Sequence, residues 1–249
     1  MARALSDIAT QYLMRPAAVV AGPPLTLALH FYINDAANSP YLIGLGSTAD
    51  SYNYLTLRNM TGRKIQIQAR SRAVPGDATG VTANAWSAGA WQHLCGIFAS
   101  TASRTAILNG DVAGKGVSTV AIDPPGLDRT SVGALVRASP VGFVNGRVAE
   151  VAVWNAALTE AEAVALAKGI APTAIRPANL VAYWPLGGRF GPLDADRWKS
   201  ALNLTPMNGP GWAEHCPVRY RRSASLGMGE KTFNPAWIPG NVLLGGGTP

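Results

Sequence analysis

The residues of this 249-residue chain that could do chemistry are few and scattered. Hydrolysis of a glycosidic bond takes two carboxyl groups about 5–10 Å apart across the substrate, one as acid and one as nucleophile or base. The nearest acidic pairs are Glu160 with Glu162 and Asp194 with Asp196. The first pair sits in Thr159-Glu160-Ala161-Glu162, a capping box that explains it as a helix start. The second lies in a loop flanked by Gly and Pro and reads as a solvated turn. Asp194 and Asp196 are also the candidate calcium ligands, with Asp50 and Asn53 as a further pair. Ca2+ wants six to eight oxygens, so no cofactor is expected. His30, His93 and His215 are too far apart in sequence to form an obvious metal set, and Cys95 with Cys216 cannot alone make a four-ligand zinc site. There is no G-x-S-x-G elbow, no phosphate-binding loop and no G-x-G-x-x-G turn. The chain is expected not to be an enzyme.

Binding is better served. Aromatic rings with a few polar neighbours suit sugar stacking, and Tyr32, Tyr52, Tyr54, Trp86 and Trp198 lie in or near loops. A second set closes the sequence: Arg219, Tyr220, Arg221 and Arg222, then Phe233, Trp237, Ile238, Leu243 and Leu244 among Gly and Pro. Such a segment cannot form its own core, yet its apolar anchors could order across a neighbour. The expected division is a body over residues 1–217 and an extended arm over 218–249.

These residues need elements to hold them, and the dominant local signal is short β-type runs between turn residues. Residues 25–33 alternate with period two, which puts Leu25, Leu27, Leu29, Phe31 and Ile33 on one face. Residues 41–45, 52–58 and 64–70 follow at the spacing of an antiparallel sandwich, with Ile65 and Ile67 facing opposite to Gln66 and Gln68. A loop rich in Gly, Pro, Thr and Asn is expected over 74–87. Further strands are expected over 91–98, 104–108, 119–122, 130–136, 145–154, 180–186 and 201–205. Asn109-Gly110 suits a type I′ turn. The one helix runs on from the capping box through Leu166, with Gly169 to stop it. The class is all-β.

Composition agrees. Hydrophobic residues make up 48% and charged residues 14%, enough apolar surface for a sizeable core. No apolar run is long enough for a membrane-spanning helix, so no membrane insertion is expected. The net charge of +7 comes from 21 Lys and Arg against 14 Asp and Glu. The Arg knot near residue 220 is too short to argue specific nucleic-acid binding. Arg15, Pro16 and polar Asp7, Gln11 and Tyr12 sit where a signal peptide would be apolar, so the chain reads as made in a cytoplasm with free thiols.

One order of motifs is distinctive: Trp91-Gln92-His93-Leu94, then Asn109-Gly110, then residues 146–162 with Gly146, Val148, Glu150, Val151, Trp154, Asn155, Leu158, Thr159 and Glu162. It resembles the concanavalin A-like lectin/glucanase superfamily, in its laminin-G-like and pentraxin-like branch, over roughly residues 10–218. The strand at Leu180-Val181-Ala182-Tyr183-Trp184-Pro185-Leu186 looks similar too. The resemblance implies a jelly-roll β-sandwich of two curved antiparallel sheets. The superfamily's hydrolases carry an E-x-D-x-x-E strand, which this chain lacks, and the acidic calcium set of the pentraxins has no clear counterpart. The motif residues themselves read as structural: Trp91 and Trp154 between the sheets, and Glu150 on backbone amides or an Arg.

The expectation is a non-catalytic interaction protein of a tailed-bacteriophage virion, as capsid decoration or tail/adsorption component, made in the host cytoplasm. Its partners would be other virion proteins or copies of itself, with glycans besides. The alternative is a carbohydrate-binding module, and a divergent glycoside hydrolase comes third.

Overall fold

The computed structural model describes residues 1–34, 39–187, 198 and 202–218. In chain order the strands are β1 (Ala2–Leu5), β2 (Tyr12–Arg15), β3 (Leu25–Ile33), β4 (Tyr41–Gly46), β5 (Tyr54–Met60) and β6 (Lys64–Ser71). They continue with β7 (Val74–Val81), β8 (Gln92–Ser100), β9 (Ser103–Leu108), β10 (Gly116–Ser118), β11 (Arg129–Val132) and β12 (Leu135–Val136). Then come β13 (Pro140–Val141), β14 (Gly146–Trp154), helix α1 (Glu160–Ala167), β15 (Leu180–Trp184), β16 (Thr205–Met207) and β17 (Gly211–Ala213).

Two antiparallel sheets stack into a sandwich. The eight-stranded sheet runs β10-β9-β8-β3-β14-β1-β17, with β15 also on β14, and the seven-stranded sheet runs β16-β2-β11-β4-β5-β6-β7. The alternation of β3 works as its sequence demands: Leu25, Leu27, Leu29, Phe31 and Ile33 enter the core between the sheets. Leu55, Leu57, Ile65 and Ile67 meet them from the other side, while Gln66 and Gln68 point away. Trp86 and Trp184 fill the same interior. No helix among the described residues is long and apolar enough to cross a membrane.

The local signals at the helix and hairpin hold. The Glu162 amide donates to the Thr159 hydroxyl at 3.3 Å and the Thr159 amide donates to Glu162 Oε2 at 2.7 Å. Asn109 and Gly110 both take positive φ, +53° and +75°. Cys95 and Cys216 are free and buried.

Several expected elements differ. Residues 74–81 form β7, an edge strand that gains its order by pairing with β6 despite Pro75, Gly76 and Gly80. The expected run 119–122 is not a strand; β10 precedes it. The run 130–136 splits into β11 and β12 because Gly133 takes φ +83°. Of 201–205, residue 201 lies outside the described residues and β16 starts only at Thr205.

Trp154 does not sit between the sheets. It packs on the outer face of the eight-stranded sheet with Leu158, Ala163 and Leu166 of the helix region, its indole donating to the Ile175 carbonyl at 2.8 Å. Trp91 lies half-buried on that same side, edge-on to Tyr32 at 5.9 Å.

Three features shape the outer surfaces. The β12–β13 hairpin folds over β4, so close that a Cβ on Gly46 would meet the Val136 carbonyl oxygen at 2.1 Å. A bulge between Ala149 and Ala152, with Glu150 at φ +53°, interrupts β14, so β1 pairs its first half and β15 its second. Finally, β16 pairs β2 in one sheet and β17 pairs β1 in the other, which clasps one side of the sandwich.

Candidate functional site

The outer face of the seven-stranded sheet carries a set of polar and aromatic side chains, of which Tyr54, Thr56, Gln66 and Gln68 are buried. Period two on neighbouring strands makes it. With Leu55, Leu57, Ile65, Ile67 and Ala69 committed to the core, Tyr54, Thr56 and Arg58 of β5 and Gln66, Gln68 and Arg70 of β6 must face outward. Register aligns them in rows: Tyr54, Arg70 and Asp77 in one, Thr56, Gln68 and Thr79 in the next, Arg58 and Gln66 in the third. The β12–β13 hairpin covers β4 alongside, with Leu135 beside Thr56 and Tyr54.

At one end the Arg70 guanidinium lies 4.9 Å from the centre of the Tyr52 ring, and its Nε is 3.3 Å from Asp77 Oδ1. The Gln68 amide donates to the other Asp77 oxygen at 2.8 Å. The hydrogen bond that Arg70 donates to the Tyr54 hydroxyl oxygen, with the charge of Asp77 behind it, pushes the Arg70 pKa upward. Burial, reinforced by Tyr41, pushes the Tyr54 phenol up as well. A pocket of about 170 Å³ opens here between Tyr52, Arg70, Ser71, Arg72, Val74 and Gly76.

The presentation of Tyr52 is fixed by its own loop. Asp50 Oδ1 accepts the Tyr52 amide at 2.7 Å and the Asn53 amide at 2.9 Å, and Asn53 Oδ1 accepts the Arg72 amide at 2.8 Å. Those amides hold the Asp50 carboxyl below its usual range. The Asp50–Asn53 pair is thus a turn lock, and its oxygens are already engaged. At the far end Arg58 lies 4.7 Å over the Tyr41 ring, and Tyr41 meets Tyr54 edge-on at 6.4 Å.

Of the aromatic candidates, the fold brings Tyr52 and Tyr54 together. Tyr52 is 43% exposed, whereas Tyr54 is buried and offers only its surroundings. Tyr32 stands on the other sheet with Trp91 and Arg147. Trp198 packs beside the helix. Trp86 is a core residue, edge-on to Phe31, with its indole donating to Asn59 at 2.7 Å; it has no face to give a ligand. Asp194 and Asp196 lie outside the described residues, as do Arg219, Tyr220, Arg221, Arg222, Phe233, Trp237, Ile238, Leu243 and Leu244. The arginines and glutamines of β5 and β6 were missed, although their period-two spacing was the signal that would have found them.

A second cluster lies on the outer face of the eight-stranded sheet. The bulge turns Glu150 outward, where it meets His215 Nε2 at 3.0 Å and accepts from the Tyr183 hydroxyl. Its partners include a His and a Tyr, which the expectation of backbone amides or an Arg did not name. The His30 and His93 rings meet at 4.9 Å, tilted by 60°. Burial drives both histidines toward the neutral form, His30 to about 4 against the opposing pull of Glu150. Burial also pushes the Cys95 thiol up to about 12 and Cys216 higher still, which removes both as nucleophiles. This cluster is closed and structural. No group of three His, Cys, Asp or Glu suited to a metal occurs among the described residues.

The sandwich and its polar sheet face define a lectin-like β-sandwich protein. Residues 7–164 match the laminin-G family of the concanavalin A-like lectin/glucanases superfamily, and the chain belongs to that superfamily. Among solved structures it is similar to a Bacteroides ovatus protein assigned as carbohydrate binding, with TM-score 0.59 and 15% identity over 88% of this chain and 61% of that one. It therefore spans less than two thirds of that relative. Domain 4 of the extracellular arabinanase AbnA of Geobacillus stearothermophilus, solved with arabinotriose, gives TM-score 0.50 and 16% identity over 61% of this chain and 70% of that one. The CBM40 of the Ruminococcus gnavus IT-sialidase gives 0.50 and 13% over 57% and 82%. At these identities the likeness is one of fold. No curated protein matches the sequence.

Proposed function

We propose that the chain is a non-catalytic glycan-binding module, and that its binding site is the pocket beside Tyr52 at the end of β5, β6 and β7. The observation that carries this reading is the Tyr52 ring, held by its loop at the mouth of a pocket that Arg70 and Arg72 also line. An exposed, fixed ring flanked by hydrogen-bonding groups is what a sugar needs, since one face of a pyranose is apolar and its rim is polar. Fold relatives support it: one was solved holding arabinotriose. Catalysis is disfavoured at this site, because the carboxylates described there are engaged, Asp77 by Arg70 and Gln68 and Asp50 by its own loop.

The test is isothermal titration of the purified chain against a panel of oligosaccharides. Tyr52→Ala is expected to weaken whichever sugar binds by about tenfold, roughly 1.4 kcal/mol. Undiminished affinity in that variant would overturn the assignment of the site.

A second reading places this module in a tailed-phage particle, as capsid decoration or a tail component, with residues 218–249 docking on a virion protein or a second copy. It rests on the sequence of that segment, where Arg219, Arg221, Arg222, Phe233 and Trp237 punctuate Gly and Pro. Co-purification with intact particles, lost on deletion of 218–249, is the expected outcome; particles that bind the truncated chain equally well would refute it.

A further inference from the structure

Residues 214–218 cross the outer side of the eight-stranded sheet without joining it. They follow β17, and none of them belongs to a strand. Side chains hold them down instead. His215 Nε2 lies 3.0 Å from Glu150 and 3.1 Å from the Pro185 carbonyl oxygen. Cys216, 4% exposed, packs on Ala2 and Ala149, and Val218 packs against the same group beside Trp91. The segment is a strap with a polar anchor at His215 and a small apolar foot at Cys216.

The anchor stands among titratable groups from every neighbouring element. Glu150 of β14 faces His215 and accepts from the Tyr183 hydroxyl of β15. The charges of both Glu150 and His215 reach His30 of β3, and His93 of β8 meets the His30 ring. The Met1 amino group and Glu150 both act on Cys216. One carboxylate thus serves three imidazoles, and the one it pairs is His215. His30 and His93 each have a buried Nδ1 with no partner. A charged imidazole carries protons on both nitrogens, so a proton taken up by either ring leaves a donor without an acceptor and a like charge close to His215.

Something must then yield. β3 and β8 are each paired on both sides, whereas residues 214–218 have no ladder to hold them, so the strap is the cheapest part to move. Burial holds His30 at about 4. Lifting the strap returns it toward the ordinary value of about 6.5, so acid favours the lifted state by up to about 300-fold.

We propose that residues 214–218 form an acid-released strap: protonation of the His30–His93 pair expels His215, and the segment lifts from Ala2, Ala149 and Trp91 while the sandwich stays folded. This is independent of the glycan-binding reading, since it concerns the opposite sheet.

The strap carries its own reporter, the Cys216 thiol, and Cys95 in the separate cluster under α1 is the internal control. The full chain is treated with 4,4′-dithiodipyridine, which labels thiols in acid as well as at neutral pH, and the labelled cysteine is identified by peptide mass. Relative to free cysteine, Cys216 labelling is expected to rise at least about tenfold between about pH 6.5 and about pH 4, with Cys95 protected and the far-UV circular dichroism unchanged. His30→Gln, which takes up no proton, is expected to abolish most of that rise. Glu150→Gln weakens the anchor and is expected to speed Cys216 labelling about tenfold already at neutral pH. If His30→Gln loses its cooperative thermal transition, His93→Gln tests the same step. Cys216 protection that ignores pH, an acid rise unchanged in the folded His variant, or Cys95 labelled together with Cys216 overturns the strap.

Discussion

At the residue scale, Tyr52 and Trp86 show how alike two aromatic loop residues look in sequence and how differently they act. Both follow short polar stretches. Tyr52 stays exposed because Asp50 and Asn53 lock the loop around it. Trp86 swings inward because Asn59, itself buried, offers an oxygen for its indole. Truncating Trp86 to Ala is therefore expected to cost about 3–5 kcal/mol in a urea denaturation series, with sugar affinity unchanged at permissive temperature. A Trp86→Ala variant of normal stability and lost binding would exchange the two roles. Tyr52 opened the expected run 52–58, but the strand begins only at Tyr54, and neither aromatic residue lies within a strand. Periodicity could separate Arg58 from Leu57 and Gln68 from Ile67, because one face of each strand is committed to the core.

At the element scale, what the sequence made legible depended on where an element gets its order. The β3 run, the α1 capping box and the Asn109-Gly110 turn carry local signals, and the structure follows them. β7 has almost none: Pro75, Gly76, Asp77 and Gly80 all disfavour strand, and hydrogen bonds from β6 override them. β14 misleads in another way. Both of its faces are apolar, so alternation fixes that Val153 and Trp154 oppose each other without saying which faces the core.

The bulge in that strand also sets a pH dependence. Both ring nitrogens of His215 face oxygens: Nδ1 the Cys216 carbonyl at 2.8 Å, Nε2 the Pro185 carbonyl at 3.1 Å and Glu150 at 3.0 Å. Burial pulls the His215 pKa down, but the hydrogen bond and charge of Glu150, with the two carbonyls, outweigh it and leave it raised. A raised pKa stabilises the fold fully below the unfolded value of about 6.5, and that contribution is lost as pH climbs through the folded one. His30 has the opposite sign. Held down to about 4, it removes stability as pH falls from about 6.5 toward 4, by about 3 kcal/mol. Stability should therefore peak near the unperturbed histidine pKa. Glu150→Gln should flatten the alkaline limb in denaturant midpoints taken across pH, and an alkaline limb unchanged in that variant would remove His215 as its source.

At the scale of the whole molecule, the two sheets divide labour. The eight-stranded sheet is covered on its outer side by α1 at one end and by residues 214–218 at the other. The seven-stranded sheet is roofed by the β12–β13 hairpin, which packs on Tyr41 and Tyr54 and leaves the Tyr52 pocket open at its end. This asymmetry was not legible in advance, since it arises from segments that return from far along the chain. Arg3 registers with Trp212, and Met14 with Thr205; no local window contains both members of either pair.

That returning clasp has a kinetic consequence. Ala2 lies opposite Ala213, so two hairpin-like pairings each wait on closure of a loop nearly the length of the body, an entropic toll that slows folding. A circular permutant that splices residue 218 to residue 1 by a short glycine-serine bridge and opens the β5–β6 turn at 61–62 would make those distant pairings local. It should refold faster than the parent in stopped-flow experiments while reaching the same native spectrum.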